Sequence, residues 1–363
     1  MKFILIFLLF PFCSIAQQNY FTVSGKVINA KDSTPLINAS VFAENTTTGT
    51  VTDENGRFKL YLPNGGYNLI VTFTGYNSES KRINSSSSEP LIFEMNIKEQ
   101  DLADVVVVAT NEVKDGWTKY GSFFLDEFLG TSDNRNSCSL NNPEVLKFYY
   151  SRKKKRLKIL ADEPLFITNK ALGYSIKYSL DSFTHEYEST ISVYSGFPLF
   201  TEIIPADSTE AATFISARKK AYSGSVMHFM RSLYNESLEE NDFQIQPIAN
   251  FKGKDTAIKV KDYYKVFDYH FDDSTGIASI SPARDKIGII YTAEKPEQKY
   301  LEENKNEPSE FQLSFISFIK RDKVFIESNG YFFDQDDIVK SGYWGWLKIA
   351  DLLPYDYETP GED

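Results

Sequence analysis

The chain is predicted to be mainly β, of α+β class: a small N-terminal β-sandwich, then a larger antiparallel-sheet domain with a few helices. Three observations carry this. Apolar and polar residues alternate with the two-residue period of a strand through many short runs. Turn residues punctuate the N-terminal runs about every 8 to 12 positions, as in an all-β sandwich. Helical spacing of apolar residues occurs at only two places, near 117–128 and 209–239.

The sandwich elements follow from local chemistry. Val23 to Asn29 alternates as a first strand, and Lys31-Asp32-Ser33-Thr34-Pro35 is a loop whose Asp and Ser side chains bond local backbone while Pro35 sets φ. Ala39, Val41 and Ala43 form a second run. Asn55-Gly56 suits the positive φ of a short hairpin turn, and Phe58, Leu60 and Leu62 alternate after it. Asn64-Gly65-Gly66 turns the chain into Tyr67, Leu69, Val71 and Phe73. Residues 77–90, with serines from Ser85 to Ser88, read as a polar loop, and Leu91 to Met95 as a last strand.

On these residues the stretch resembles a known family. Gly25-x-Val27, Pro35-Leu36, Ala39-x-Val41, Thr52-Asp53-x-x-Gly56-x-Phe58 and Gly75-Tyr76 occur in the order seen in the carboxypeptidase regulatory-like domain. The resemblance covers residues 21–97, about a fifth of the chain. It implies a transthyretin-like fold and an accessory role without catalytic residues. It also implies the Bacteroidetes cell envelope, where such domains stand at the N-termini of proteins that include outer-membrane transporters of the starch-utilisation type.

Residues 1–16 read as a secretory signal peptide: basic Lys2, an apolar run from Phe3 to Phe12 too short to span a bilayer as a helix, and small residues at Ser14 and Ala16. Phe12 before Cys13 does not suit lipidation. No later stretch approaches about 18 apolar residues, so no transmembrane segment is expected after cleavage. Export implies the periplasm or outer-membrane surface. Cleavage leaves Cys138 as the one cysteine, which excludes an intrachain disulfide. A net charge of −11 argues against nucleic acid as a partner.

Residues 98–113 are expected to connect the two parts as a strand. Asp104 to Val108 is acidic and then valine-rich, and by resemblance to the transporters it is similar to the segment that contacts the TonB energy-coupling protein. The second domain is placed at 114–356. Trp117, Tyr120, Phe124 and Phe128 predict a helix closed by Gly130. A loop over 131–142 holds Cys138. Strands over 145–150 and 157–160 flank the cationic tip Arg152 to Arg156, which suits an acidic partner or lipid phosphates. Further strands are expected at 165–168, 172–183 and 188–194. One long helix over 209–239 comes next, with Ala221, Gly224 and Ser225 letting a neighbour approach. Strands then follow at 243–248, 257–271, 287–291, 311–319 and 323–326, with a charged loop at 295–308. The helix around Ala221 to Glu240 and the segment Lys348 to Asp356 resemble parts of Bacteroidetes proteins with the same two-part layout.

Enzyme signals are thin. His185-x-x-Glu188 has the spacing of a zinc-peptidase pair, but on a strand positions i and i+3 face opposite sides. Ser-x-x-Lys recurs at Ser151, Ser216 and Ser317 without companion motifs. Asp272-Asp273 and Asp334 to Asp337 read as solvated turns, the latter without the Gly and Glu of a calcium loop. No catalytic residue, metal or cofactor is therefore assigned. Aromatic residues make up 15% of the chain, most of which the core packing of a large β-rich domain explains, and Tyr343, Trp344 and Trp346 cluster in a Gly-flanked segment. These three are the candidate ligand-binding residues, since flat rings stack on sugar faces. The expected function is a non-catalytic envelope interaction or scaffold protein that binds glycan, peptide or an outer-membrane partner. A hydrolase site in 114–356 and an accessory role in TonB-dependent uptake are the alternatives.

Overall fold

The computed structural model describes residues 20–85, 89–98, 111–282, 284–320, 323–333 and 335–360. Residues 1–16, read above as a signal peptide, Asp104 to Val108 and Asp334 lie outside the described residues. The chain is mainly β, arranged in largely antiparallel sheets with a few helices, as its alternation predicts, with β1 and β7 of the sandwich paired in parallel.

The N-terminal sandwich comprises β1 (Tyr20–Asn29), β2 (Ser40–Ala43), β3 (Gly49–Val51), β4 (Arg57–Pro63), β5 (Tyr67–Thr72), β6 (Glu79–Ile83) and β7 (Leu91–Met95). One sheet has the order β4-β1-β7 and the other β3-β2-β5-β6. Val23, Val27, Phe58, Leu60, Leu62 and Phe93 meet Val41, Leu69 and Val71 in one core between them. The polar stretch expected as a loop contains β6, which pairs with β5 at a sheet edge. Only Ile83 of β6 is buried, so one edge strand with a solvated face carries little hydrophobic signal.

Helix α1 (Gly116–Leu129) buries Tyr120, Phe124 and Phe128, spaced four apart, on a six-stranded sheet. That sheet holds β8 (Cys138–Leu140), β9 (Leu146–Ser151), β10 (Arg156–Ala161), β11 (Leu165–Asn169), β12 (Tyr174–Glu186) and β13 (Ile191–Glu202). β12 is long enough to pair with β11 and β10 and, along its length, with β13. Cys138 opens β8 rather than sitting in a loop, and burial in this core pushes its thiol up to about 12. His185 also lies buried in β12, where Nδ1 meets Ser192 Oγ at 2.8 Å, while Glu188 falls beyond the strand in the turn.

The stretch 209–239 is two helices rather than one: α2 (Ser208–Tyr222) and α3 (Val226–Tyr234). Between them Gly224 takes φ +73°, and Ser225 caps α3 by accepting His228 N–H. Beyond lie β14 (Phe243–Phe251), β15 (Lys254–Ala257), helix α4 (Tyr263–Phe267), β16 (His270–Asp272), β17 (Ile277–Ile280), β18 (Lys286–Tyr291), helix α5 (Gln298–Glu303), β19 (Gln312–Phe318), β20 (Val324–Ile326), β21 (Ile338–Gly342) and helix α6 (Tyr343–Trp346). A five-stranded sheet, β15-β14-β18-β19-β21, and a small one, β16-β17-β20, enclose a core with α3. Two expectations change here. The run 257–271 is helix α4 and a three-residue strand, because Asp262 caps a turn through Lys265 N–H. The charged loop 295–308 contains α5, whose Tyr300 is buried.

Candidate functional site

The chain closes with a strap, residues 353–360, that runs between the sandwich and α2–α3. Its contacts assemble from distant parts of the sequence. The β2–β3 turn of the sandwich reaches in first. Asn45 N–H donates to Pro198 O at 2.9 Å and Phe200 N–H to Thr46 O at 2.9 Å, so the turn adds to the outer edge of β13. Asn45 also accepts Tyr355 N–H at 2.7 Å and donates its amide to Leu353 O at 3.2 Å. Thr47 donates from both N–H and hydroxyl to the Asp356 carboxylate, at 2.9 and 2.5 Å. Burial nonetheless raises the Asp356 carboxyl above its usual range, more than those hydrogen bonds lower it.

Arg231 on α3 ties the opposite side. Its Nε donates to Asn329 O, and its Nη2 to Tyr355 O and Tyr357 O, each at 3.0 Å. Asn329 in turn donates to Gly66 O at 3.2 Å. One guanidinium thus gathers α3, the β20–β21 loop and the strap, and Asn329 passes the connection to the sandwich. Replacing Arg231 by methionine leaves three carbonyls without their donor. The expected loss is about 2–3 kcal/mol, with the strap becoming the first site of limited proteolysis. Unchanged melting and unchanged cleavage would refute this role.

Two clefts flank the strap. The smaller, of 150 Å³, is lined by Thr47, Glu202, Arg218 and Asp356. Arg218 lies over the Tyr174 ring at 4.0 Å and donates to Leu172 O and Gly173 O, so it shapes the wall. The larger, of 310 Å³, is lined by His228, Arg231, Asn235, Ser237, Asn241 and Glu358. His228 Nδ1 accepts Gly224 N–H at 3.1 Å, so its Nε2 carries the proton toward Asn241 Oδ1 at 3.2 Å. Both ring nitrogens are engaged, and Ser232 and Ser237 direct their hydroxyls to backbone carbonyls. This arrangement suits holding a polar group better than proton transfer. Among the described residues no three His, Cys, Asp or Glu side chains group as metal ligands.

Glu327 stands at the second sandwich contact. It is 5% exposed, and its Oε1 has no hydrogen-bond partner among the described residues. Burial pushes its carboxyl up to about 7. The side chain fills the space above Gly66, where a Cβ would lie 2.3 Å from Glu327 Cγ.

The candidate residues Tyr343, Trp344 and Trp346 sit elsewhere, in α6. Trp344 is buried against Phe229 and donates Nε1–H to Gly224 O at 2.6 Å. Tyr343 is buried edge-on to Tyr300. Trp346, half-buried, stacks on Tyr343 and donates to Glu303 at 2.7 Å. The first two rings therefore serve packing, and the Gly-flanked cluster is where a helix turns into the core. Arg231, Asp356 and Glu327 carried no sequence signal, because each gains its role from partners more than ninety positions away in at least one case.

Comparison with known proteins adds a family to the first part only. Residues 23–108 match the family model of the CarboxypepD_reg-like domain. A curated relative, the TonB-dependent receptor SusC of Bacteroides thetaiotaomicron, is 36% identical over 107 residues, which is 28% of this chain and 9% of the receptor. Among solved structures, a type II cohesin–X-dockerin complex from Acetivibrio cellulolyticus is 22% identical over 25% of this chain and 73% of that chain, with a TM-score of 0.18. A DUF3823 family protein from Bacteroides ovatus is 9% identical over 51% and 82% of the two chains, with a TM-score of 0.17. At these scores the structural likenesses carry no argument. Among the described residues no helix is long and apolar enough to cross a membrane. The chain therefore carries a CarboxypepD_reg-like domain at residues 23–108, of the type shared with a Bacteroides TonB-dependent receptor.

Proposed function

We propose that this chain is a non-catalytic interaction or scaffold protein of the bacterial cell envelope, working beside TonB-dependent uptake. In this reading residues 1–16 direct export, 21–97 are the accessory sandwich, and 114–356 are a second domain that displays it. One observation carries the reading: the domain shared with SusC is not on a free tether but tied to the second part at two places. The Asn45–Thr47 turn grips β13 and the strap, and Gly66 meets Asn329. An accessory domain held this way presents one face in a set orientation, as a scaffold requires. The clefts beside the strap support binding over turnover, since the His228 ring nitrogens and the nearby hydroxyls are committed to structure.

The test is capture from the native envelope. A tagged full-length chain, crosslinked in cells and purified from the envelope fraction, should bring down a TonB-dependent receptor or its partner. Recovery of the tagged chain alone, or in the cytoplasm, would overturn the reading.

A further inference from the structure

The sandwich sheet β4-β1-β7 buries one face in the core and turns the other to solvent. On that outer face Lys26 of β1 stands directly opposite Arg57 of β4, and Lys59 follows two positions along, opposite Ser24. Arg57 and Lys59 are exposed and Lys26 is half-buried. None of the three forms an ion pair with a described residue. Lys59 lies over the exposed Tyr61 ring at 4.9 Å, and exposed Ile92 of β7 pairs with Lys26 from the other side.

This placement costs the fold something. Like charges directly opposite on neighbouring strands repel, and the chain as a whole is acidic, at −11. Guarding a sheet edge against pairing explains cations on β4. It does not explain Lys26, which is on the central strand. On the same face Glu94 of β7 stands opposite Ile28, two positions along from Lys26, so it offsets one of the three cations and leaves these four side chains at a net +2, while Asp53 in the turn accepts the N–H groups of Asn55 and Arg57.

We infer that this face is a docking surface for an acidic protein segment bound in extended form. Along β4 the cations repeat every second residue, about 7 Å apart, which is the spacing of carboxylates on one side of an extended peptide. Thr22 and Ser24 of the central strand are shorter than Tyr61 and Lys59, which stand opposite them on β4. An anionic membrane is the weaker occupant, because the face holds three cations where membrane-binding clusters use about 4 to 8.

The surface rests on the reading of the chain as an interaction protein. Fluorescein-labelled hexaglutamate is the probe, titrated with the full chain at low salt and followed by anisotropy. Binding should weaken as salt rises. The variant K26Q/R57Q/K59Q should lose about tenfold or more in affinity and melt no lower than the parent, since it relieves repulsion. The control K252Q/K254Q/K261Q, with the same change in net charge on exposed lysines elsewhere, should change affinity by about twofold or less. No binding by the parent chain, or equal losses in both variants, would overturn the surface. So would binding to phosphatidylglycerol vesicles through these residues with none to the peptide. A chain that captures envelope partners yet ignores the peptide overturns the surface and leaves the proposed function standing; peptide binding without envelope capture does the reverse.

Discussion

Replacing Gly224 by alanine is expected to destabilise the chain by about 3–5 kcal/mol. Gly224 holds φ +73°, which alone costs a residue with a Cβ about 1 kcal/mol. The added Cβ would lie 2.5 Å from Tyr291 Cδ1 and 2.6 Å from Gln312 Oε1. Both side chains are buried, at 6% and 5% exposed, so neither retreats cheaply. Alanine also favours a continuous helix through 208–234. That helix would remove the Gly224 N–H from His228 Nδ1 and Gly224 O from Trp344 Nε1. Gly253→Ala is the control. It shares a positive φ of 81° but meets nothing within 4 Å, so it should cost only about 1 kcal/mol. Chemical denaturation of both variants measures the difference. Equal midpoints would show that steric closure at Gly224 is not what breaks the helix.

The second large effect is on pH dependence. Glu327 has its carboxyl raised from 4.5 to about 7 because it is buried. A folded-state pKa above the unfolded one means the folded chain holds the proton more tightly. Its stabilising share is complete below about pH 4.5 and is lost as pH rises through about 7, a change of about 3 kcal/mol. The groups around it do not offset this. Tyr67 from β5 and Tyr234 from α3 are neutral in this range, and both feel the Glu327 charge as unfavourable. Asp351, raised to about 6 by burial, adds a loss of the same sign. The difference between the parent and Glu327→Gln therefore isolates one group. The variant should match the parent near pH 4.5 and exceed it by about 2–3 kcal/mol at pH 8. Parallel stability curves across that range would disprove the shift. Because Glu327 presses on Gly66, the parent above pH 7 should also show faster hydrogen exchange in the 63–67 turn than the variant does.

Much of the architecture was legible because it rests on local periodicity. Val23, Val27, Phe58, Leu60 and Leu62 announce which face of the sandwich is buried, and the family motifs announce its type. Tyr120, Phe124 and Phe128 likewise define α1 and its buried stripe. Where the local signal was weak, the reading drifted. β6 has one buried residue, and α4 follows an apolar run that reads equally as strand. Trp344 and Tyr343 looked like exposed ligand-stacking rings because glycines flank them. Only the approach of Gly224 and Tyr300 shows that their surfaces are taken.

By itself, then, the sequence determined the fold class, the N-terminal domain and most strands, since these depend on residues two to four positions apart. The tertiary structure alone decided the helix break at Gly224, the clasp at Arg231, the burial of Glu327 and the row of cations across β1 and β4. Each depends on atoms brought within a few ångströms from separate parts of the chain, and no periodicity records such a meeting.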